Sequence, residues 1–282
     1  MLAKSRRRSV VRAAWTVLII GGISAALYAS HSWGNYHWSR QSNPLTLALG
    51  DNVSSTWDAH LVQASDDWSN SPWPELDVLD TTVVSGGTDS RRCKPTSGRV
   101  EVCADKYGFN GWLGLAQIWV DGDHITKAIS KMNDSYFDTS TYGTPEWRQF
   151  VMCQEVGHTF GLGHQDENFN NTNLGSCMDY TGDPDGPPDN LHPNYHDYEQ
   201  LSAIYNSHTD NPPSGGGGPG NGNGRGKPGA PPAMDAIDFA GPAQWGKLVE
   251  GSQQRGFSVY ELDFGGGHKV LTHVLWVRPG RP

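Results

Sequence analysis

Residues 152–167 read MCQEVGHTFGLGHQDE, and this stretch decides which fold the rest of the sequence is expected to adopt. It belongs to a longer segment, 144–161, whose pattern predicts a helix. Thr144 can cap that helix, Pro145 suits its first turn, and Gly161 can end it. We therefore expect one long helix that carries the chemistry, followed by a sharp turn.

The polar residues of this stretch are spaced so that they can share a metal ion. A helix places Gln154 and His158 on one face, with Glu155 beside them. Because glycine adopts the left-handed conformation easily, a turn at Gly161 can bring His164 back towards the same point. A cation held by residues 154, 158 and 164 keeps a position open for water, and Glu155 is placed to act as general base.

The pattern QEVGHTFGLGH, followed by CMDY at 177–180, resembles the metzincin zinc metalloproteases, and most closely their bacterial matrixin-like members. The family's pattern is HExxHxxGxxH followed by a turn that contains methionine. The resemblance covers residues 45–208. It implies an α/β (α+β) domain with a mixed twisted sheet, an active-site helix and a C-terminal helix. The residues that match are the base Glu155, the ligands His158 and His164, the turn residue Gly161, Met178 of the methionine turn, and Tyr180, which in some members contacts the zinc or the oxyanion.

Gln154 departs from this pattern, because the family has a histidine there. An amide oxygen is a weaker zinc ligand than an imidazole. Three interpretations stay open. Gln154 coordinates the metal through its oxygen or a water molecule. Alternatively, another residue, for example His192 or His196, completes the site, or the site is poor in metal and inactive.

The resemblance implies an endopeptidase with one catalytic Zn²⁺ and a protein or peptide as substrate. The segment GLAQIWV (114–120) resembles the family's substrate-binding edge strand. An extended peptide is therefore expected to lie against it. The alternative is a non-catalytic protein that keeps the cleft and binds peptides or surfaces. A third possibility is that the C-terminal tail dominates as an adhesion or glycan-binding module.

The charge of the chain limits its partners. The formal net charge is −9, and five of the basic residues lie within the first twelve positions. This acidity argues against nucleic acid as a partner. The basic start is followed by an apolar run at 13–29, which predicts an export signal, either cleaved or kept as a membrane anchor. We expect a secreted or tethered monomer that contacts the membrane only through this segment.

Export permits disulfides, and the chain has 4 cysteines. The short spacing favours Cys93–Cys103, which leaves Cys153–Cys177, and the alternative is four free thiols. With the metzincin arrangement, a Cys153–Cys177 bridge ties the active-site helix to the methionine turn.

Composition divides the chain into five parts. The segment 210–233 is rich in glycine and proline and has almost no apolar side chains, so it is expected to be a disordered linker. The expected parts are a signal peptide or anchor (1–30), a stalk (31–44), the catalytic domain (45–209), the linker (210–233) and a small β-rich tail (234–282).

Two acidic and amide-rich segments, 166–173 and 179–190, could bind Ca²⁺, although neither has EF-hand spacing.

Overall fold

The computed structural model describes residues 31–206, 209–210, 230–236, 239 and 241–278, and the architecture is mixed α+β. The predicted export segment (1–30) and most of the predicted linker lie outside the described residues. Among the described residues, no helix has the length and apolar character needed to cross a bilayer. The strands are β1 His37–Trp38, β2 Leu45–Asn52, β3 Leu79–Ser85, β4 Val100–Asp105, β5 Trp112–Asp121, β6 His124–Asn133, β7 Lys247–Ser252, β8 Phe257–Gly265 and β9 His268–Trp276. The α-helices are α1 Asp58–Ser69, α2 Asp134–Phe137, α3 Pro145–His158, α4 Tyr195–Tyr205 and α5 Ala233–Ala236.

All of these strands belong to one sheet, with the order β3-β2-β4-β6-β5-β9-β8-β7 and with β1 paired to the start of β6. The pairs β3–β2, β2–β4 and β4–β6 are parallel. From β6 onward the pairs β6–β5, β5–β9, β9–β8 and β8–β7 are antiparallel. The sheet is therefore mixed, as expected, and its antiparallel half includes the tail.

The main hydrophobic core lies between the sheet and the helices. Trp57 at the start of α1, Trp68 within α1 and Phe150 of α3 are almost fully buried in this core. A second cluster covers the other face of β5 and β9 and includes Trp119, Trp245 and Trp276. Because both faces of these two strands are covered, β5 and β9 are buried along nearly their whole length instead of alternating between buried and exposed positions.

The tail extends the sheet of the domain instead of standing apart from it. Strands β8 and β9 lie on either side of a glycine turn, which agrees with the β-rich tail expected from the sequence. Strand β9 then pairs with β5 from Trp112 to Asp121. The predicted substrate-binding strand GLAQIWV therefore has β6 on one side and β9 on the other, and neither of its edges is free in this structure.

The segment predicted as a stalk packs against the domain, so that prediction is wrong. Its residues Trp33 and Trp38 are buried in the main core, and the short strand β1 pairs with β6. The backbone N–H of Trp33 donates to the carbonyl of Gly161 over 2.8 Å. Large aromatic side chains gain free energy when they are removed from water, which explains why this segment does not extend into solvent.

Candidate metal centre

Helix α3 carries three polar side chains into the core next to the sheet. The hydroxyl of Thr144 accepts a hydrogen bond from the N–H of Trp147 at 3.3 Å, so the helix has its predicted cap. Gln154, Glu155 and His158 are all 0% exposed. Burying two titratable groups and an amide in one helix is costly unless each finds a partner. The surroundings of these three side chains therefore identify the candidate site.

The turn after α3 depends on glycine at position 161. Gly161 has φ +93°, which only glycine adopts without strain. A Cβ atom at this position would lie 2.3 Å from the carbonyl oxygen of Tyr36. The turn returns the chain so that the rings of His158 and His164 meet edge to face, with centroids 4.6 Å apart. The predicted role of Gly161 as the turn residue agrees with this geometry.

Two links hold α3 to the turn that contains Met178. Both predicted disulfides, Cys93–Cys103 and Cys153–Cys177, are present, and the second one joins the two segments. Beside it, the side-chain N–H of Gln154 donates to the carbonyl of Cys177 over 2.9 Å. The amide group is thus fixed by its nitrogen, while its oxygen Oε1 is buried and has no hydrogen-bond partner.

Met178 and Tyr180 complete the floor of the site. A Cβ atom added to Gly157 of α3 would lie 2.8 Å from the sulfur of Met178, so the methionine packs directly under the helix. The ring of Tyr180 lies 4.0 Å from that of His164, centroid to centroid, and is buried. Burial raises the pKa of Tyr180 well above its usual value, so the hydroxyl stays protonated.

A residue that the sequence prediction missed enters this site from the tail. His273 lies on β9 opposite Ala116 of β5 and is 0% exposed. Because side chains alternate along a strand, it points to the same face as Leu271 and Leu275, which belong to the main core. Its ring lies 3.9 Å from that of His158 and 4.6 Å from that of His164, centroid to centroid.

His158, His164 and His273 are arranged like the ligands of one metal ion. Each offers one ring nitrogen, and these atoms all lie within 4.8 Å of one another. The Nδ1–H of His158 donates a hydrogen bond to the Leu162 carbonyl over 2.8 Å, so the free lone pair of this ring lies on Nε2. His273 uses Nε2 on the hydroxyl of Tyr180 at 3.1 Å, which leaves Nδ1.

The remaining polar atoms of the site lack hydrogen-bond partners although they are buried. Native interiors rarely leave such atoms unsatisfied, so several of them in one place mark a candidate ion-binding site. Imidazole nitrogens with an amide oxygen form a donor set that suits Zn²⁺. The unpartnered atoms are Gln154 Oε1, Glu155 Oε1 and Oε2, His158 Nε2, His164 Nε2 and His273 Nδ1.

Electrostatics keep the imidazoles of this cluster neutral. Burial lowers the pKa of His158 to about 3, and it lowers the pKa values of His164 and His273 well below the usual value. Burial also raises the pKa of Glu155 well above its usual range. Neutral imidazoles carry the lone pairs that a metal needs, and a positive charge nearby favours the ionised form of a carboxyl group.

The alternative ligands His192 and His196 are not part of the site. The Nδ1 atom of His192 lies 2.8 Å from Asp67 Oδ2, near α1. The ring of His196 stacks on that of His31 with centroids 4.7 Å apart. Neither of them completes the site, because His192 precedes α4 and pairs with Asp67 of α1, while His196 on α4 packs against His31.

The segments considered for Ca²⁺ hold their side chains by internal hydrogen bonds. Asp179 Oδ2 accepts from the N–H of Leu174 and from Asn190, and Asp166 Oδ1 accepts from the N–H of Asn168. Among the described residues, no group of three carboxylates comes together in either segment.

Comparison with known proteins adds no relative. No protein-family model matches the chain, and no curated protein is similar to it at a significant level.

Proposed function

We propose that the protein is an exported zinc-dependent endopeptidase of the metzincin type. The observation that carries this proposal is the convergence of His158, His164 and His273 with Glu155. His164 is half-buried and the other three are fully buried, and each has a buried ring nitrogen or carboxylate oxygen without a hydrogen-bond partner. The chain order of base, ligands, turn glycine, methionine and tyrosine supports it further.

The residues that would hold the ion are His158 and His164, with Gln154 Oε1 and His273 Nδ1 as the further donors. Zn²⁺ bound there would act as a Lewis acid on a water molecule or a carbonyl oxygen. The unpartnered oxygen of Gln154 supports a ligand role through the amide oxygen. Its nitrogen has a different role, because it anchors the side chain to the carbonyl of Cys177.

Glu155 is the residue that moves protons in this proposal. Its carboxylate accepts a proton from the attacking water and delivers it to the leaving amine. A Cβ atom at Gly114 would lie 2.6 Å from Glu155 Oε1, so glycine at this position of β5 leaves room for the carboxylate. The same contact places Glu155 beside the strand expected to bind the substrate backbone.

Tyr180 supplies a hydroxyl that stays protonated and can donate a hydrogen bond. In this structure the hydroxyl is paired with His273 Nε2 at 3.1 Å. Without that partner it can donate to the oxyanion that develops on the scissile carbonyl.

An oxidising location is part of the proposal. Two disulfides and no free cysteine among the described residues suit an exported protein, because thiols of cytosolic proteins are kept reduced. The basic and apolar start of the sequence supports the same location. We propose that the protein works outside the cell, either secreted or held by its N-terminal segment.

The test uses the full chain with a recognition sequence for a site-specific protease inserted within residues 211–229. Zinc-loaded protein is assayed for hydrolysis of an unfolded protein, both before and after the insert is cut. We expect hydrolysis by the parent in at least one state and none by Glu155→Gln with the same zinc content. The matched control is Glu146→Gln in the first turn of the same helix, which should behave like the parent.

Two results would contradict the proposal. Hydrolysis by Glu155→Gln at the parental rate would exclude Glu155 as the base. A zinc-loaded parent that is inactive both before and after the cut would favour the non-catalytic, peptide-binding alternative.

A further inference from the structure

We propose that the C-terminal hairpin β8–β9 is an intramolecular inhibitor, which occupies the substrate-binding edge of β5 and places His273 in the metal's open position. This inference rests on the proposed protease function. It assigns His273 a reversible role, in contrast to His158 and His164, which stay with the metal throughout.

Strand β9 uses the hydrogen-bonding groups that a substrate would use. It pairs with β5 antiparallel from Trp112↔Trp276 to Asp121↔His268. An extended peptide that adds to a sheet edge needs these same N–H and C=O groups. The other edge of β5 is paired with β6, so no second edge of β5 is left for a peptide. Substrate and β9 therefore cannot pair with β5 at the same time.

The hairpin also closes the site. Glu155, His158 and His273 are 0% exposed, and Tyr180 is 1% exposed. A scissile carbonyl has to come within about 3 Å of the catalytic groups, and no peptide can do so while β9 is in place. Of the ring pairs in the site, His158 and His273 are closest, which puts the tail imidazole at the centre of the cluster.

Several contacts hold the hairpin on the domain. The side-chain N–H of Gln117 on β5 donates to the Thr272 hydroxyl on β9 over 2.8 Å, and the Val277 N–H donates to the Gly111 carbonyl over 2.7 Å. Because the hairpin is covalently joined to the domain, it competes with substrate for β5 at a high effective concentration. Cutting the tether makes its binding bimolecular, and multivalent systems of this kind lose a factor of about 10² or more in apparent affinity.

The experiment compares the insert-carrying parent with His273→Ala and with His268→Ala. His268 is the matched control, because it is a second buried histidine of β9, at the far end of the strand. We expect hydrolysis to rise about a hundredfold when the cut parent is diluted. Uncut His273→Ala should also be more active than the uncut parent, while uncut His268→Ala should stay latent. A synthetic peptide of residues 268–278 should inhibit the cut enzyme, and the same peptide with alanine for His273 should inhibit it much less.

Two readouts do not depend on activity. The absorption spectrum of Co²⁺-substituted protein should change in His273→Ala and not in His268→Ala. Backbone amides of β5 should exchange with deuterium faster after the cut and dilution. Equal activity of uncut and cut protein would overturn the inhibitor proposal and leave the protease proposal standing. Inactivity in all forms, with the Co²⁺ and exchange changes present, would overturn the protease proposal, and the hairpin would then cover β5 and the metal centre without inhibiting any hydrolysis.

A second and independent observation leads us to propose a divalent-cation site at His37, His124 and Asp210. His124 Nε2 lies 3.1 Å from Asp210 Oδ1, and His37 Nε2 lies 3.8 Å from the same oxygen. The three ligand atoms lie within 4.8 Å of one another. Ligands of a tetrahedral zinc ion are about 3.3 Å apart, given metal–ligand bonds of about 2.0–2.1 Å.

The orientation of these groups suits a shared ion better than a direct contact. Although His124 Nε2 is close to the carboxylate, it makes no hydrogen bond. His37 Nδ1 lies 2.6 Å from the carbonyl of Asn35, which directs the lone pair of Nε2 towards Asp210. Asp210 Oδ2 accepts from the N–H of Arg40 at 2.6 Å. In metal sites, the ligand side chains are typically oriented by further hydrogen bonds such as these to backbone groups.

A cation here would join the N-terminal segment, the β5–β6 turn and the point where the chain leaves the domain. The test measures zinc per chain after dialysis of the full-length protein and of the double variant His37→Gln/His124→Gln. We expect the double variant to bind one zinc fewer than the parent, and Asp210→Asn to bind it more weakly. His60→Gln, which removes a histidine bonded to Gln149, should bind as the parent does. An unchanged number of zinc ions per chain in the folded double variant would overturn this site. The variant His158→Gln, measured in the same way, shows which of the bound ions belongs to the candidate metal centre.

Discussion

The Nδ1 atom of His273 on β9 lies 3.8 Å from Oε2 of Glu155 on α3, and neither atom has a hydrogen-bond partner. At this distance the two groups are neighbours without being bonded to each other. Glu155 lies on the helix that carries the metzincin-like pattern, whereas His273 lies in the tail, after the predicted linker. The candidate metal centre therefore combines two parts of the chain that the sequence pattern treats separately.

Gln154 is expected to contribute to zinc affinity as well as to stability. Gln154→Ala removes the bond to Cys177 and leaves a buried carbonyl unpaired, which costs about 1–3 kcal/mol of unfolding free energy. The matched control is Gln117→Ala, because Gln117 is also 0% exposed and its amide N–H donates to Thr272. Zinc titration should show weaker binding for the first variant alone. Equal zinc affinity in both variants would exclude Gln154 as a ligand.

The turn at Gly161 is expected to position His164. Gly161→Ala introduces backbone strain worth about 1–3 kcal/mol and a clash with the Tyr36 carbonyl. Gly98→Ala has comparable strain, with φ +77° and no atom within 4 Å of the added Cβ. Thermal unfolding should show a larger loss for Gly161→Ala, and isothermal titration should show weaker zinc binding for it alone. Parental zinc affinity in Gly161→Ala would contradict the assignment of His164.

The two disulfides should differ in their effect on the metal. Cys153–Cys177 closes a loop with a sequence separation of 24, and Cys93–Cys103 one with a separation of 10. Loop-closure entropy predicts a loss of about 3 kcal/mol from removing either bridge. Only Cys153→Ala/Cys177→Ala should lower zinc affinity, since that bridge joins α3 to the methionine turn. The comparison requires chemical unfolding curves and zinc titrations of both double variants.

His192 should stabilise the fold at low pH. The hydrogen bond to Asp67 raises the pKa of His192 above its usual value of 6.5. A raised histidine pKa in the folded state adds stability that is fully present below pH 6.5 and is lost as the pH rises through the folded-state pKa. Asp67→Asn should bring this pKa down, as measured by NMR titration of the ring protons. The pKa of His60, which burial lowers, should not move, and an unchanged His192 pKa would refute the pairing.

Much of the local structure around the motif follows from the sequence. The cap at Thr144, the left-handed glycine at 161 and both cysteine pairs are encoded within short segments, and the structure contains all of them. Strand β9 was also detectable from its apolar run. A histidine at the core-facing position between Leu271 and Leu275 was a signal that this residue has a buried polar role.

The placement of His273 could not be derived in the same way. It depends on which strand β9 joins and in which register, and a shift by one residue would turn His273 to the opposite face. Tertiary packing also decides that Trp33 and Trp38 bury the N-terminal segment, and that His192 and His196 face away from the site.

The most direct measurement is a crystal structure of the zinc-loaded full chain, with anomalous difference density recorded at the zinc edge. We predict a peak about 2.0–2.1 Å from His158 Nε2, His164 Nε2 and His273 Nδ1, with Glu155 next to it. A structure with no peak among these residues, or with zinc bound while β9 lies away from β5, would contradict a metal centre that the helix and the tail build together.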